Sequence, residues 1–299
     1  MSSPVPENID SNPSPFVPTH PFANAAGADA ILRSSDGVDF YVHRTILSLV
    51  SPVFETIFSL PQPELSTALP VIDMQESSAT LDRALRFFYP GTHPNAETLD
   101  ELRGIIDVLM KYDMQSVISV AKYYLEKYHA LHPLAVYAIA FRYGWKDVAI
   151  AAAKETLKDL LRMLNTAAPS DLEGLTAIAY HDLLHYHYRC SEAARSTARS
   201  LKWLLWPTAF EFCRCNRTPV IFSDNAPHQV PVWFSQYLTS LGELLALMPG
   251  AKMHQTGVFY QALEQAKCQH CRQFDFINFA SVQLQEQVKA EIDKIELKF

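Results

Sequence analysis

The chain has 299 residues, 48% of them hydrophobic and 19% charged, with 9 Gly and 19 Pro. That is enough apolar material for one large domain or two ordinary ones, and so little glycine argues against a large Gly-rich α/β enzyme. A net charge of −7 gives no general attraction for nucleic acid or an acidic membrane.

No apolar run reaches the length of about 18 residues that a membrane span needs. Residues 1–21 lack the basic start and apolar core of a secretory leader. The five cysteines are Cys190, Cys213, Cys215, Cys268 and Cys271. They are few and odd in number, which points to a reducing compartment, cytoplasm or nucleus, rather than a secreted disulfide framework.

Residues 1–27 hold six prolines among Ser, Asn and Ala. Missing donors and fixed φ predict a disordered arm there. Ala30-Ile31-Leu32-Arg33 and Val38-Asp39-Phe40-Tyr41-Val42 are strand-like, with Asp36-Gly37 as a hairpin turn between them. After His43-Arg44 the period changes to helical through Ile46, Leu49, Val50, Val53, Phe54, Ile57 and Phe58. Ser51-Pro52 breaks that run as an N-cap followed by Pro at the first helical position. Two short helices meeting at Ser51 are expected. Leu69 to Asp73 resembles a short strand with an edge proline.

Helices are then predicted over 78–89, 96–110, 114–128, 134–143 and 147–163. Asp171 is expected to cap a helix running to His187, and Ser191 another running to Leu205. Pro207, Pro219 and Pro227 predict an irregular segment. Helices return over 232–247 and 258–271. A last amphipathic stretch carries Val288, Ile292, Ile295 and Phe299 on one stripe.

The order strand, Asp-Gly turn, strand, His-Arg, two helices, strand, helices resembles a BTB/POZ domain over residues 28–129. The residues that carry the resemblance are Asp29-Ala30-Ile31-Leu32, Phe40-Tyr41-Val42-His43-Arg44, Ile46-Leu47 and Ser51-Pro52-Val53-Phe54. Leu85-Arg86-Phe87-Phe88-Tyr89-Pro90-Gly91 and Leu109-Met110-Lys111-Tyr112-Asp113-Met114 continue it. The downstream texture is similar to the helical extension of fungal, mushroom-type BTB proteins. It includes Pro133 to Ala140, Leu183-Leu184 with Tyr186-His187 and Cys190, and Cys268-Gln269-His270-Cys271-Arg272. The resemblance implies an α+β BTB domain followed by an all-α C-terminal region. That region divides into BACK-like helices over 130–205, an irregular Cys/Pro/Trp segment over 206–235 and closing helices over 236–299.

The resemblance further implies a non-catalytic protein–protein interaction protein that forms a homo- or hetero-dimer or binds a partner such as Cullin-3. In many dimeric members a buried Asp meets a basic residue in a charged pocket at the dimer seam. The matching positions are Asp29 and Arg44, with His43 beside them; the same two residues could instead be internal fold polar groups. Cullin-3 binders often carry an apolar-x-Glu motif after the second helix. Here that place reads Leu60-Pro61-Gln62-Pro63-Glu64, with two prolines and different spacing, which weakens the ubiquitin-ligase substrate-adaptor alternative.

Two metal chemistries compete. His181-Asp182-Leu183-Leu184-His185 places two imidazoles one helical turn apart, as in the H-E-x-x-H helix. Asp182 is a shorter arm than the usual Glu base, and no third ligand follows at the familiar spacing, so partly solvated histidines outweigh a metal-dependent enzyme. Cys213-Arg214-Cys215 and Cys268-Gln269-His270-Cys271 could close a structural zinc site, with His187 and Cys190 as reserve ligands; free, partly buried thiols are the competing reading. Trp203, Trp206 and Trp233 are expected as core or interface anchors. No DNA-binding motif, phosphate loop or nucleophile elbow is present.

Overall fold

The structure is a computed structural model that describes residues 16–60, 68–91, 96–205 and 207–299. The chain divides after Leu125 into two compact units.

In the first unit β1 (Ala30–Arg33) and β2 (Asp39–Val42) form an antiparallel hairpin. Alternation turns Ala30 and Leu32 inward from β1, and Phe40 and Val42 from β2. Gly37 sits at φ +80 in the turn, a conformation glycine adopts without steric cost. Beside it, the Asp36 carboxylate accepts from the Ser78 backbone N–H (2.8 Å) and hydroxyl (2.6 Å). α1 (Arg44–Val50) and α2 (Pro52–Ser59) follow, and β3 (Val71–Asp73) returns parallel to β1, giving the order β2-β1-β3. Helices α3 (Ser78–Arg86), α4 (Leu99–Lys111) and α5 (Gln115–Glu126) complete the unit.

Ser51 is fully buried and performs the capping role its sequence context predicts. Its oxygen accepts from the Phe54 N–H (3.1 Å), and its hydroxyl donates to the Tyr112 carbonyl (2.5 Å), so one side chain starts α2 and ties it to the end of α4. Phe54 stacks on Tyr112 with ring centroids 4.9 Å apart.

The expected arm needs correction where it is described. Residues 1–15 lie outside the described residues. Beyond them two aromatics pack among mostly exposed neighbours: Phe16 lies against Phe40, and Phe22 is wholly buried against Phe40 and Tyr89. Arg86 lies over the Phe22 ring and donates to the His20 carbonyl and the Thr19 hydroxyl. Burying one phenylalanine contributes about 1.5–3 kcal/mol, enough to order a short Pro-containing segment whose composition reads as loose.

The second unit is mostly helical. α6 (Pro133–Arg142) is buried over eight consecutive residues, and α7 (Lys146–Thr156) packs on it through alanines. The helix expected over 147–163 is interrupted: Asp159 caps a new helix, α8 (Leu160–Thr166), by accepting from the Arg162 N–H. Asp171 caps only a short 3-10 turn, Pro169–Leu172. The long α9 (Ala177–Arg199) starts at Thr176 and runs without a break through Ser191, which is buried in mid-helix rather than capping a second helix. Its buried stripe, Leu183, Tyr186, Cys190, Ala194 and Ala198, packs on two later helices, Val232–Leu247 and Leu284–Asp293, and carries the helix past that serine.

The segment expected to be irregular contains a β-hairpin, β4 (Arg217–Ile221) with β5 (Pro227–Pro231). Its prolines are tolerated because both strands are edges. α10 (Val232–Leu247) and α11 (Gly257–Gln265) follow. The latter stops at Gln265, short of Cys271, because the chain turns there to present Cys268. α12 (Phe276–Asn278), a π turn at Phe279–Gln283 and α13 (Leu284–Asp293) close the unit. Phe210, Trp233, Phe234, Phe274, Phe276 and Phe279 form one aromatic cluster.

Candidate functional site

Asp29, His43 and Arg44 meet where β1, β2 and α1 join. The Asp29 carboxylate accepts from the Arg44 backbone N–H at 2.6 Å. It therefore satisfies an orphan donor of the first turn of α1, a task the His43 side chain does not perform. The Arg44 guanidinium turns the other way. It donates to the Phe58 carbonyl near the end of α2 (2.5 Å) and lies 5.0 Å over the Phe58 ring. Each charge thus serves a helix terminus of fitting polarity: the carboxylate an N-terminus, the guanidinium a C-terminal carbonyl.

Two expectations change here. Asp29 is exposed in the chain, not buried, and no guanidinium–carboxylate pair joins it to Arg44 within one copy. His43 donates its backbone N–H to the Tyr89 hydroxyl (2.8 Å), while its ring Nδ1 is buried with no partner among the described residues. Burial, with the Asp29 charge adding to it, pushes the Tyr89 phenol up to about 12. Leu49, on the same helix α1, is 83% exposed. At the place where Cullin-3 binders often carry their apolar-x-Glu motif, Leu60 is exposed, and Pro61 to Glu64 lie outside the described residues.

In the second unit the four cysteines converge. Cys213 and Cys215 come from the loop before β4, Cys268 and Cys271 from the turn after α11. Their four Sγ atoms lie within 4.8 Å of one another. Individual separations are 3.3 Å (Cys213–Cys271), 3.5 Å (Cys213–Cys268) and 3.8 Å (Cys215–Cys271). A disulfide needs about 2.05 Å. A tetrahedral zinc with Zn–S bonds of about 2.3 Å sets its sulfurs roughly 3.8 Å apart. The cluster has the dimensions of a mononuclear tetrathiolate site.

The surroundings supply donors to sulfur. The Cys271 N–H points at Cys268 (3.3 Å), the Cys215 N–H at Cys213 (3.5 Å) and the Trp233 indole N–H at Cys271 (3.2 Å). Such bonds orient ligands and spread thiolate charge. The Arg217 guanidinium gathers the Phe210, Glu211 and Cys213 carbonyls, fixing the first loop. Burial works against the Cys268 thiolate, but the Cys271 N–H and the neighbouring thiols outweigh it and bring the thiol down to about 7. Burial raises Cys215 to about 11 and Cys271 far higher. Crowded thiols resist ionising together, and a bound cation reverses that resistance.

The reserve ligands do not join. Cys190 is buried inside α9, where burial lifts its thiol to about 11, and His187 contacts Ser191 at 3.4 Å. His181 and His185 stack one turn apart, centroids 6.1 Å and planes 5° apart, on the exposed side of α9 with Asp182 at 3.5 Å. Among the described residues only the cysteine set gathers three or more ligating side chains around one point. Trp203 stacks on Phe279, Trp233 joins the aromatic cluster, and Trp206 lies outside the described residues. Sequence reasoning missed Trp233 as a sulfur partner and Arg217 as the loop clamp. Only the nearness of Arg217 to the C-x-C pair offered a signal.

Among the described residues no helix is long and apolar enough to cross a membrane. No curated protein matches the chain. Residues 20–129 match the BTB/POZ domain. That stretch, with its three-stranded mixed sheet, paired helices α1 and α2 and following helices, is therefore a BTB/POZ domain, a protein–protein interaction module of a generally non-catalytic family, and a helical C-terminal region follows it.

Proposed function

We propose that the protein acts by BTB-mediated self-association or partner binding and has no catalytic role of its own. The observation that carries this reading is α1, which leaves Leu49 83% exposed on the helix that Asp29 and Arg44 brace. An exposed leucine alone is ordinary. Here it shares α1 with Arg44, whose backbone N–H is held by the exposed Asp29 carboxylate. In this reading Asp29, His43 and Arg44 border the seam, with the two charged residues acting through helix termini rather than as a pair within one copy. Light scattering on the eluted full chain tests it. Dimer mass is expected for the parent and monomer mass for Leu49→Asp, with unchanged circular dichroism. A folded Leu49→Asp dimer would contradict it.

The Cullin-3 adaptor is the second reading, supported by the BTB domain and weakened by the two prolines after Leu60. Titration with purified Cullin-3 separates the two; no binding at micromolar concentration ends the adaptor reading.

For the cysteine cluster we propose a structural zinc ion held by Cys213, Cys215, Cys268 and Cys271. The sulfur spacing and the three N–H donors to sulfur support it. With every ligand position filled by protein, the ion would have no open position for catalysis. A reducing compartment, cytosol or nucleus, fits a site that needs thiolates. Metal analysis should find one zinc per chain that Cys271→Ser abolishes and His181→Ala leaves in place.

A further inference from the structure

Three of the four sulfurs in the cysteine cluster accept an N–H bond, and the fourth does not. The Cys271 N–H meets Cys268, the Cys215 N–H meets Cys213 and the Trp233 indole meets Cys271. Cys215 receives no N–H from the described residues; its sulfur faces that of Cys271 at 3.8 Å. Access divides the four as well. Cys213 is 3% exposed and Cys271 1%, whereas Cys215 and Cys268 are half-buried.

These differences decide how the sulfurs would react. A thiolate, not a thiol, is the nucleophile. A closed tetrathiolate site ionises all four cysteines, so ordinary thiol acidity no longer ranks them. Reach and hydrogen bonding do. An N–H aimed at sulfur draws off charge and occupies a lone pair that an attack would use. Cys213 and Cys271 fail on reach. Cys268 is reachable but accepts an N–H. Cys215 is reachable and keeps its charge unshared.

We propose that Cys215 is the reactive thiolate of the cluster, the sulfur that attacks a hydroperoxide, and that Cys271 resolves the product. The proposal rests on the zinc reading, because it needs four sulfurs held together and ionised. In the first step the Cys215 thiolate attacks one peroxide oxygen. The O–O bond breaks, Cys215 becomes a sulfenic acid and hydroxide leaves. In the second the Cys271 thiolate attacks the Cys215 sulfur. The S–O bond breaks, a second hydroxide leaves and the disulfide forms. Two electrons have passed from the sulfur pair to the peroxide, and both hydroxides take protons from water. The two sulfurs need to close from 3.8 Å to about 2.05 Å. Cys213 is the poorer resolving group, since a bond to it would close a small strained ring across one intervening residue. Loss of two thiolates opens the ligand set and releases the metal, while the new disulfide joins the same two loops.

The test uses the native full-length protein. Zinc is measured first. One sample is then treated with limiting iodoacetamide and another with one equivalent of hydrogen peroxide, and modified positions are read by peptide mass spectrometry. The expected result is one zinc per chain, with Cys215 alkylated about fivefold or more faster than Cys268, as one absent hydrogen bond would give. Cys213 and Cys271 should stay unalkylated while the metal is bound. Peroxide should produce the Cys215–Cys271 disulfide and free one zinc per disulfide, read with a chromogenic chelator. A protein without zinc would overturn the zinc reading and this proposal with it. One zinc per chain with Cys268 alkylated first, or both at equal rates, would overturn the proposal alone. So would a Cys213–Cys268 disulfide as the main peroxide product.

Discussion

The BTB domain and the C-terminal region hold themselves together by different means. In the first, polar side chains act on nearby helix ends: Ser51 starts α2, Asp29 satisfies the first turn of α1, and Arg44 holds a terminal carbonyl of α2. These devices sit close to the helix ends they serve, and the short motif Ser51-Pro52 announces one of them. In the second, the decisive contacts join residues more than fifty positions apart. Cys213 meets Cys268 and Cys271, and Phe210 meets Phe274. A local grammar builds one region, a thiol and aromatic cluster the other.

That difference can be sharpened by removing one device from each region. The largest effect is expected from Cys271→Ser. Zinc content should fall from one per chain to none, and amides of the β4–β5 hairpin should lose hydrogen-exchange protection, because structural metal binding contributes on the order of 10 kcal/mol in small zinc-bound folds. Retained protection throughout the hairpin would mean the aromatic cluster suffices without metal. Ser51→Ala comes next. It removes a cap and leaves the buried Tyr112 carbonyl short of a donor, so about 2 kcal/mol should be lost in urea unfolding of the BTB domain. Arg44→Gln should cost less, about 1 kcal/mol, since the guanidinium is only half-buried and serves one carbonyl. A loss as large as that of Ser51→Ala would indicate a structural pairing for Arg44 beyond the Phe58 carbonyl.

The smallest effect is electrostatic. Hydrogen bonds from Ser34 and Ser78 hold the exposed Asp36 carboxyl down to about 2 from 3.8. A depressed folded pKa contributes stability that is present above the unfolded value and is lost as pH falls through the folded one. Asp36→Asn should therefore lower neutral stability slightly and flatten the acid limb between pH 3.8 and about 2, so that the variant and the parent converge at the acid end. An unaltered acid limb would show that the Ser78 contacts do not persist in solution.

The same contrast explains what was legible in the sequence. The Asp36-Gly37 turn, the period change after Arg44 and the Ser51-Pro52 break are local signals, and each corresponds to a structural element. The resemblance pairs Asp29 with Arg44, and the two are neighbours, yet sequence cannot show that the carboxylate meets the backbone of Arg44 while the guanidinium faces Phe58. The β4–β5 hairpin was hidden because Pro219, Pro227 and Pro231 suppress a strand reading, although a two-stranded hairpin of edges accommodates them. Ser191 looked like a cap because side-chain chemistry favours one there; burial of Tyr186, Cys190 and Ala194 against neighbouring helices overrode it. The cysteine spacing suggested zinc, but only the fold brought the two halves to 3.3–3.8 Å.

The central claim is that this protein works by association through its BTB domain. Sedimentation equilibrium of the full chain at micromolar concentration tests it most directly, with Leu49→Asp and Cys271→Ser run alongside. The account gives a dimer for the parent, a folded monomer for Leu49→Asp and a retained dimer for Cys271→Ser. A monomeric parent, or a Leu49→Asp protein that stays dimeric, would contradict it.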